Sequence, residues 1–428
     1  MPQFSIPYGR TQLTAQLDGG FEVEVLAPRS VIPAPDQAQA VVAALAQPVG
    51  GARLAGLVGV QASACRSVAI AINDKTRPVP HKLLLPPLLE ELARLGVPES
   101  AITFIIATGL HGPMAESEFA QVLPPEILAR YRVVSHDFAA TTELVNFGKT
   151  QRGTPVQNNR RFAEADLRLV VGNLEPHQFM GFSGGVKTAA IGLAGRDTID
   201  ANHAFMMDAR SDLARYDDNP ARQDVEEIGR MIGVQFALNA VINENKQIVN
   251  VLAGEPQAVM RQGIPLVLDI YQARVAAPFD LMIVSPGGHP KDINLYQAQK
   301  ALGHAARVSL EAGTILLAAA CPEGTGSRTY EQWVIGMASH EAVLERFKRE
   351  GFHIGPHKAF QIARDSSTRR VLMVTEMPEA FARSLLLHPF PSLGHALDLI
   401  LRELPARARI GVMPFGNATI PVLEPIKK

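Results

Sequence analysis

The chain has 428 residues, of which 47% are hydrophobic and 19% charged, with a formal net charge of -1. That length exceeds what one hydrophobic core usually serves, so two domains are expected. Nothing in the near-neutral balance suggests a nucleic-acid or polyanion surface. Two cysteines, Cys65 and Cys321, exclude a disulfide framework or a four-cysteine zinc site. No apolar run is long enough to cross a bilayer. The opening Met1-Pro2-Gln3-Phe4-Ser5-Ile6-Pro7 lacks the charged-then-apolar order of a secretory signal. A cytoplasmic enzyme acting on small molecules is therefore expected.

In chain order, a short run rich in Val, Ile and Ala at 67–72 reads as a buried strand. The stretch 81–95 follows as a helix, with Leu83, Leu84, Leu88, Leu92 and Leu95 on one face. Further strands are expected at 101–107 and 167–171. Residues 234–242 and 248–252 read as two strands joined by the polar turn Asn243-Glu244-Asn245-Lys246-Gln247, before a helix over 256–273. Strands at 281–284, 314–320 and 370–374 follow, and 409–423 is again strand-like. Near-continuous apolar strands alternating with helices predict an α/β fold with mostly parallel sheets. The domain boundary is expected near 275, giving a first domain over 1–275 and a second over 276–408. The closing segment 409–428 could return to the first domain.

The polar residues collect where strands stop. Asp74-Lys75-Thr76-Arg77 follows the first strand, Thr108-Gly109-Leu110-His111 the second, Glu175-Pro176-His177 the third, and Ser285-Pro286-Gly287-Gly288-His289 the strand at 281–284. Open α/β sheets bind ligands beyond the carboxyl ends of their strands, so these ends suggest one cleft shared by both domains. His111 and His177 on opposite sides of a cleft could move protons at either face of a substrate, although each could equally be a hydrogen-bonded core histidine. Arg77 could hold a carboxylate through its planar fork or simply pair with Asp74 in a turn. Gln297 and Lys300, three residues apart, share a helix face in Tyr296-Gln297-Ala298-Gln299-Lys300.

Gly181-Phe182-Ser183-Gly184-Gly185-Val186-Lys187-Thr188 superficially resembles a phosphate loop, but a Walker A loop needs glycine where Val186 stands. If 188–195 forms a helix, its N-terminus would favour an anion. His203 alone is a poor metal site, with no His-Glu-x-x-His helix or cysteine pair beside it. Trp333, the run 321–327, and His357-Lys358-Ala359-Phe360 are candidates for loops near the cleft.

Together, Asp74-x-x-Arg77, Ala107-Thr108-Gly109-Leu110-His111, Glu175-Pro176-His177, Gly181-Phe182-Ser183-Gly184-Gly185-x-Lys187, Asn202-His203 and Gln297-x-x-Lys300 resemble the nickel-dependent lactate racemase family over nearly the whole chain. The resemblance implies two α/β domains with the active site between them. It implies a nickel pincer nucleotide, a modified pyridinium mononucleotide that binds nickel through two sulfurs and a ring carbon. By position, Lys187 would be joined to this cofactor and His203 would be the single protein ligand to nickel. Asp74, Thr76, Ser183, Gly184 and Gly185 would lie around the cofactor. His111 and His177 would be the catalytic bases, and Arg77 and Lys300, with Gln297 and Tyr296, would orient the substrate carboxylate. The implied reaction is inversion at C2 of a 2-hydroxy acid by reversible, proton-coupled hydride transfer, with accessory enzymes supplying the cofactor. Leu110, Met114, Phe179, Met180 and Tyr296 are candidates for the wall around the C2 substituent, which would favour a small or aliphatic group. Two other readings stay open: a nucleotide-binding phosphotransferase built on the Gly181 turn, and a non-catalytic sensor of a hydroxy acid or nucleotide.

Overall fold

The computed structural model describes residues 3–17, 20–51, 53–59, 66–351 and 355–424; Cys65 lies outside them. The chain divides into two compact units, one formed by 30–270 and the other by 1–29 together with 271–428.

The unit over 30–270 is built on a six-stranded sheet in the order Ile248–Gly254, Phe236–Ile242, Leu167–Asn173, Val68–Asn73, Ile102–Ala107, Arg132–Ser135. All neighbours are parallel except the expected hairpin at one edge. That hairpin turns where the Asn243 side chain accepts the amides of Asn245 and Gln247, each at 3.0 Å, while Lys246 takes φ +63°. The central strands bury Ile70, Ile72, Phe104, Ile106, Leu169 and Val171 against Leu84, Leu85, Leu88 and Leu92 of the helix His81–Arg94. The 3–4 spacing of those leucines is what turns one helical face to the sheet.

The second unit holds a six-stranded, wholly parallel sheet in the order Pro389–Phe390, Arg370–Val374, Ser309–Ala318, Phe279–Val284, Arg409–Met413, Glu22–Val25. The division therefore differs from the expected one at both termini. Arg409–Met413 does not return to the first domain; it lies between Phe279–Val284 and Glu22–Val25. It is the opening 29 residues that join the later unit. Their antiparallel hairpin, Gln3–Tyr8 with Thr11–Gln16, buries Phe4, Ile6 and Tyr8 against Leu281, Ile283 and Leu316. The Gly9 amide donates to Asp292 Oδ2, and the His289 amide donates to Gly9 O at 2.8 Å. The helix after the first unit's hairpin stops at Tyr271, and Gln272–Val275 becomes a strand paired with Ile420–Leu423.

Candidate active site

In the unit over 30–270, the parallel strands end on one side of the sheet, which gathers their following loops. Asp74 comes directly after Val68–Asn73 and is buried. The Thr76 amide and hydroxyl both donate to its Oδ1, at 3.2 and 2.7 Å. Oδ2 accepts from His111 Nδ1 at 2.6 Å. Burial works to raise the Asp74 carboxyl, but the hydrogen bond and charge of His111, the Thr76 hydroxyl and Arg77 outweigh it and hold the group below its ordinary value. An ionised Asp74 assigns the His111 ring hydrogen to Nδ1 and leaves Nε2 with its lone pair. The His111 side chain is 41% exposed, so the ring is reachable. Asp74 thus supports His111, a pairing the sequence motifs did not suggest.

Arg77 Nη1 stands 3.9 Å from Glu175 Oε1. The next two residues, Pro176–His177, pair antiparallel with Gly181–Phe182. The Met180 amide donates to His177 Nδ1 at 3.3 Å, which assigns that ring's hydrogen to Nε2 in the neutral form. The two histidines therefore present opposite tautomers. His177 and Phe179 meet edge to face with ring centroids 5.0 Å apart, and Phe179 meets His203 in the same way at 5.1 Å. His203 sits on the helix Arg196–Ala204. Its neighbour Asn202 anchors that helix by donating to Ala221 O and to the buried Asp224 carboxylate.

The glycine-rich turn is set by its protein surroundings. Gly181 has φ +71°, and a Cβ there would lie 1.7 Å from Arg215 O. At Gly184 and Gly185, added Cβ atoms would strike Leu174 and Met260, each at 2.7 Å. These glycines allow the loop to pack against its own unit. Fully buried Arg222 donates to Phe182 O and Gly184 O, both at 3.1 Å, while pairing with Glu226. The Gly185 amide donates to Asn239 Oδ1 at 2.8 Å. The following helix covers only Lys187–Ala190, too short to present a helix N-terminus to an anion, so that expectation is corrected. Gly192 helps end it, because a Cβ there would lie 2.3 Å from Thr188 O.

Lys187 follows the turn. Burial, then repulsion from Arg77 and Arg222, pulls its amine down to about 7, against the opposing charges of Glu175 and Asp74. A lysine near neutrality in charge is a nucleophilic amine at pH 7. Asp74, Arg77, Glu175, Lys187 and Arg222 thus act on one another in one cluster, to which His111 is tied through Asp74. Sequence reasoning missed Arg222 and Asn239, which touch the turn from distant segments and belong to no local motif.

The other unit carries Tyr296, Gln297 and Lys300 on the helix Leu295–Ala306, whose N-cap Asn294 accepts the Gln297 amide at 3.1 Å. Lys300 Nζ donates to Gln297 Oε1 at 2.6 Å, so the expected shared face is realised. Trp333 is buried within this unit's core against Phe347, with Arg346 over its ring, and does not shape a loop. In the first unit, Met114 likewise packs into the leucine core rather than lining a ligand wall.

Three observations bear on a nickel-bearing nucleotide. Ser183 Oγ and Asn173 Nδ2, beside the turn, are buried without a hydrogen-bond partner. Lys187 offers an amine suited to covalent attachment. Among the described residues no group of three or more His, Cys, Asp or Glu could hold a metal. A metal on the His203 imidazole would need a group that brings its own donors, and the residues fit such a group.

The lactate racemase N-terminal domain family matches residues 8–214 and the lactate racemase C-terminal domain family matches 274–421. A lactate racemase of Lactiplantibacillus plantarum is 30% identical over 77% of this chain and 77% of its own length. One from Thermoanaerobacterium thermosaccharolyticum is 28% identical over 98% of this chain and 99% of its own. The solved lactate racemase apoprotein of that organism superposes with a TM-score of 0.88 at 27% identity, covering 99% of this chain and 100% of that one. The chain belongs to the lactate racemase family, a family of isomerases.

Proposed function

We propose that this isomerase inverts the C2 stereocentre of a 2-hydroxy acid, lactate or a close relative, with a nickel pincer nucleotide as cofactor. The observation that carries the reading is the Asp74–His111 hydrogen bond, together with a second histidine, His177, of opposite tautomer. The cofactor, when bound, supplies a reversible hydride acceptor for C2, which spares the substrate a carbanion beside its carboxylate.

Lys187 would tether that group, His203 would ligate its metal, and Ser183 and Asn173 would meet its polar atoms. Gly184 and Gly185 would give the turn its shape, and Thr76 would act through Asp74. Arg77 holds the substrate carboxylate, a task shared with Lys300, Gln297 and Tyr296, and keeps the acid oriented through both half-reactions. His111 Nε2 takes the hydroxyl proton of one enantiomer, and Asp74 offsets the positive charge that arrives. His177 serves the other face: after taking up a second proton at Nδ1 it gives its Nε2 hydrogen to the keto oxygen, the inverted hydroxyl forms, and the ring is left neutral. Each enantiomer points its hydroxyl to a different side, which is why two imidazoles are needed. Partly exposed Leu110 and the apolar Phe179 suit a small or aliphatic substituent at C2. Accessory enzymes would make and load the cofactor, and a cytoplasmic location would give access to them.

Alanine variants test the assignment. His111→Ala and His177→Ala are each expected to lower kcat by about 10²–10⁴-fold with substrate affinity retained. Full turnover in either variant, measured by polarimetry, would remove that histidine from the mechanism.

A further inference from the structure

Two buried titratable side chains, His357 and Lys358, open the helix Pro356–Ser366 and meet Tyr296 of the helix Leu295–Ala306. The bend before them depends on Gly355 at φ +93°, where a Cβ would stand 1.9 Å from Thr329 Oγ1. That bend aims the Gly355 amide at His357 Nδ1, 3.1 Å away. Nδ1 therefore accepts, and the hydrogen of the neutral ring is assigned to Nε2. Nε2 lies 3.4 Å from Tyr296 Oη, with the two rings edge to face and centroids 5.6 Å apart. The Tyr296 oxygen accepts from that N–H, so its own hydrogen is directed at another acceptor.

Lys358 fixes the ring itself. Its Nζ stands 4.7 Å from the Tyr296 ring centroid and donates to Gln299 Oε1 and Gln361 Oε1, at 3.1 and 3.0 Å. Burial pulls the amine down to about 7, and the two glutamine oxygens and the ring face support its charged form. The phenol is thus held at its edge by an imidazole and over its face by the Lys358 amine. Directly after Tyr296 and one turn beyond it, on the helix Leu295–Ala306, stand Gln297 and Lys300, hydrogen-bonded to each other.

We propose that His357 and Lys358 are positioning residues that hold Tyr296 as a hydrogen-bond donor to an oxygen of the bound hydroxy acid. The proposal rests on the assignment of Tyr296 to substrate binding. A side chain locked by its neighbours donates without losing rotamer freedom on binding, so removing the lock weakens binding more than chemistry.

Two measurements test this. In full-length protein labelled with 3-fluorotyrosine, Tyr296→Phe assigns the 19F resonance among six tyrosines. A single narrow resonance is expected in the parent, splitting or broadening in both His357→Phe and Lys358→Met; a resonance unchanged in both overturns the clamp. In the cofactor-loaded enzyme, Tyr296→Phe and His357→Phe are each expected to raise KM about tenfold, near the worth of one hydrogen bond, with a smaller change in kcat. The double variant should be no worse than either single one, and His357→Gln, which keeps an N–H near Nε2, should recover most of the loss. Losses that multiply in the double variant overturn the relay, and a Tyr296→Phe enzyme with parental KM overturns the substrate role. A parent enzyme that inverts no hydroxy acid is a different failure, that of the racemase reading, and the 19F resonance still decides the clamp.

Discussion

Lys187 sets the terms at the residue scale. Its ordinary value is 10.5 and folding lowers it to about 7. Between those values the unfolded chain binds more protons than the folded one, so stability rises with pH across the window and is lowest below it. Lys187→Met removes the penalty. At pH 7 and below, the variant is expected to be more stable than the unloaded parent by about 2–4 kcal/mol. The gap should close as pH approaches 10.5, as read by urea unfolding at a series of pH values. A gap that stays constant across that range would mean the amine is not desolvated. The same burial makes the amine a nucleophile near neutrality, so the folded chain spends stability at this position, and the proposed attachment to a cofactor would return it. Asp74 shows the opposite balance: partners outweigh burial, and the carboxylate stays charged to hold His111.

At the scale of elements, the glycine-rich turn depends on the helix Pro220–Met231. Arg222 reaches from that helix to two carbonyls of the turn while paired with Glu226, whose other partner is the Tyr216 hydroxyl. Arg222→Met would leave a buried carboxylate and two carbonyls without their cation. Breaking such a pair costs about 3–5 kcal/mol, read as a lower urea midpoint. Loss of less than about 1 kcal/mol would mean the turn is held by Asn239 and packing instead. How far the sequence disclosed this region follows from the physics. His111, His177, Lys187 and His203 stand in short local motifs, and the strands before the first two are near-continuous apolar runs, so both were legible. Arg222 and Asn239 were not, since a buried arginine on an amphipathic helix looks like a surface one until its partners are known. The short helix after Lys187 was overread because small apolar residues suit both a helix and a tight turn, and only contacts made by Gly192 and Gly195 decide between them.

Over the whole molecule, the misplaced element is Glu22–Val25. Its alternating acids and valines suit an edge strand, but its partner, Arg409–Met413, is nearly the whole chain away. No local pattern links the two, so the sequence alone leaves open which unit takes the closing strand. The consequence is testable by fragments. Residues 30–270 contain their whole sheet and core and should unfold cooperatively when expressed alone. Residues 271–428 lack Phe4, Ile6, Tyr8, Leu17 and the edge strand, and should fold only when 1–29 is supplied. Cooperative unfolding of 271–428 alone would contradict that division. In the proposed function the two units would carry different duties: histidines, Lys187 and Arg77 in one, Tyr296, Gln297 and Lys300 in the other. The measurement that bears most directly on their common purpose uses a single enantiomer of lactate, or of the best substrate from a hydroxy-acid panel, deuterated at C2. The loaded enzyme should invert it with the deuterium retained in both enantiomers; label lost to solvent with each inversion would contradict hydride transfer and point to simple deprotonation.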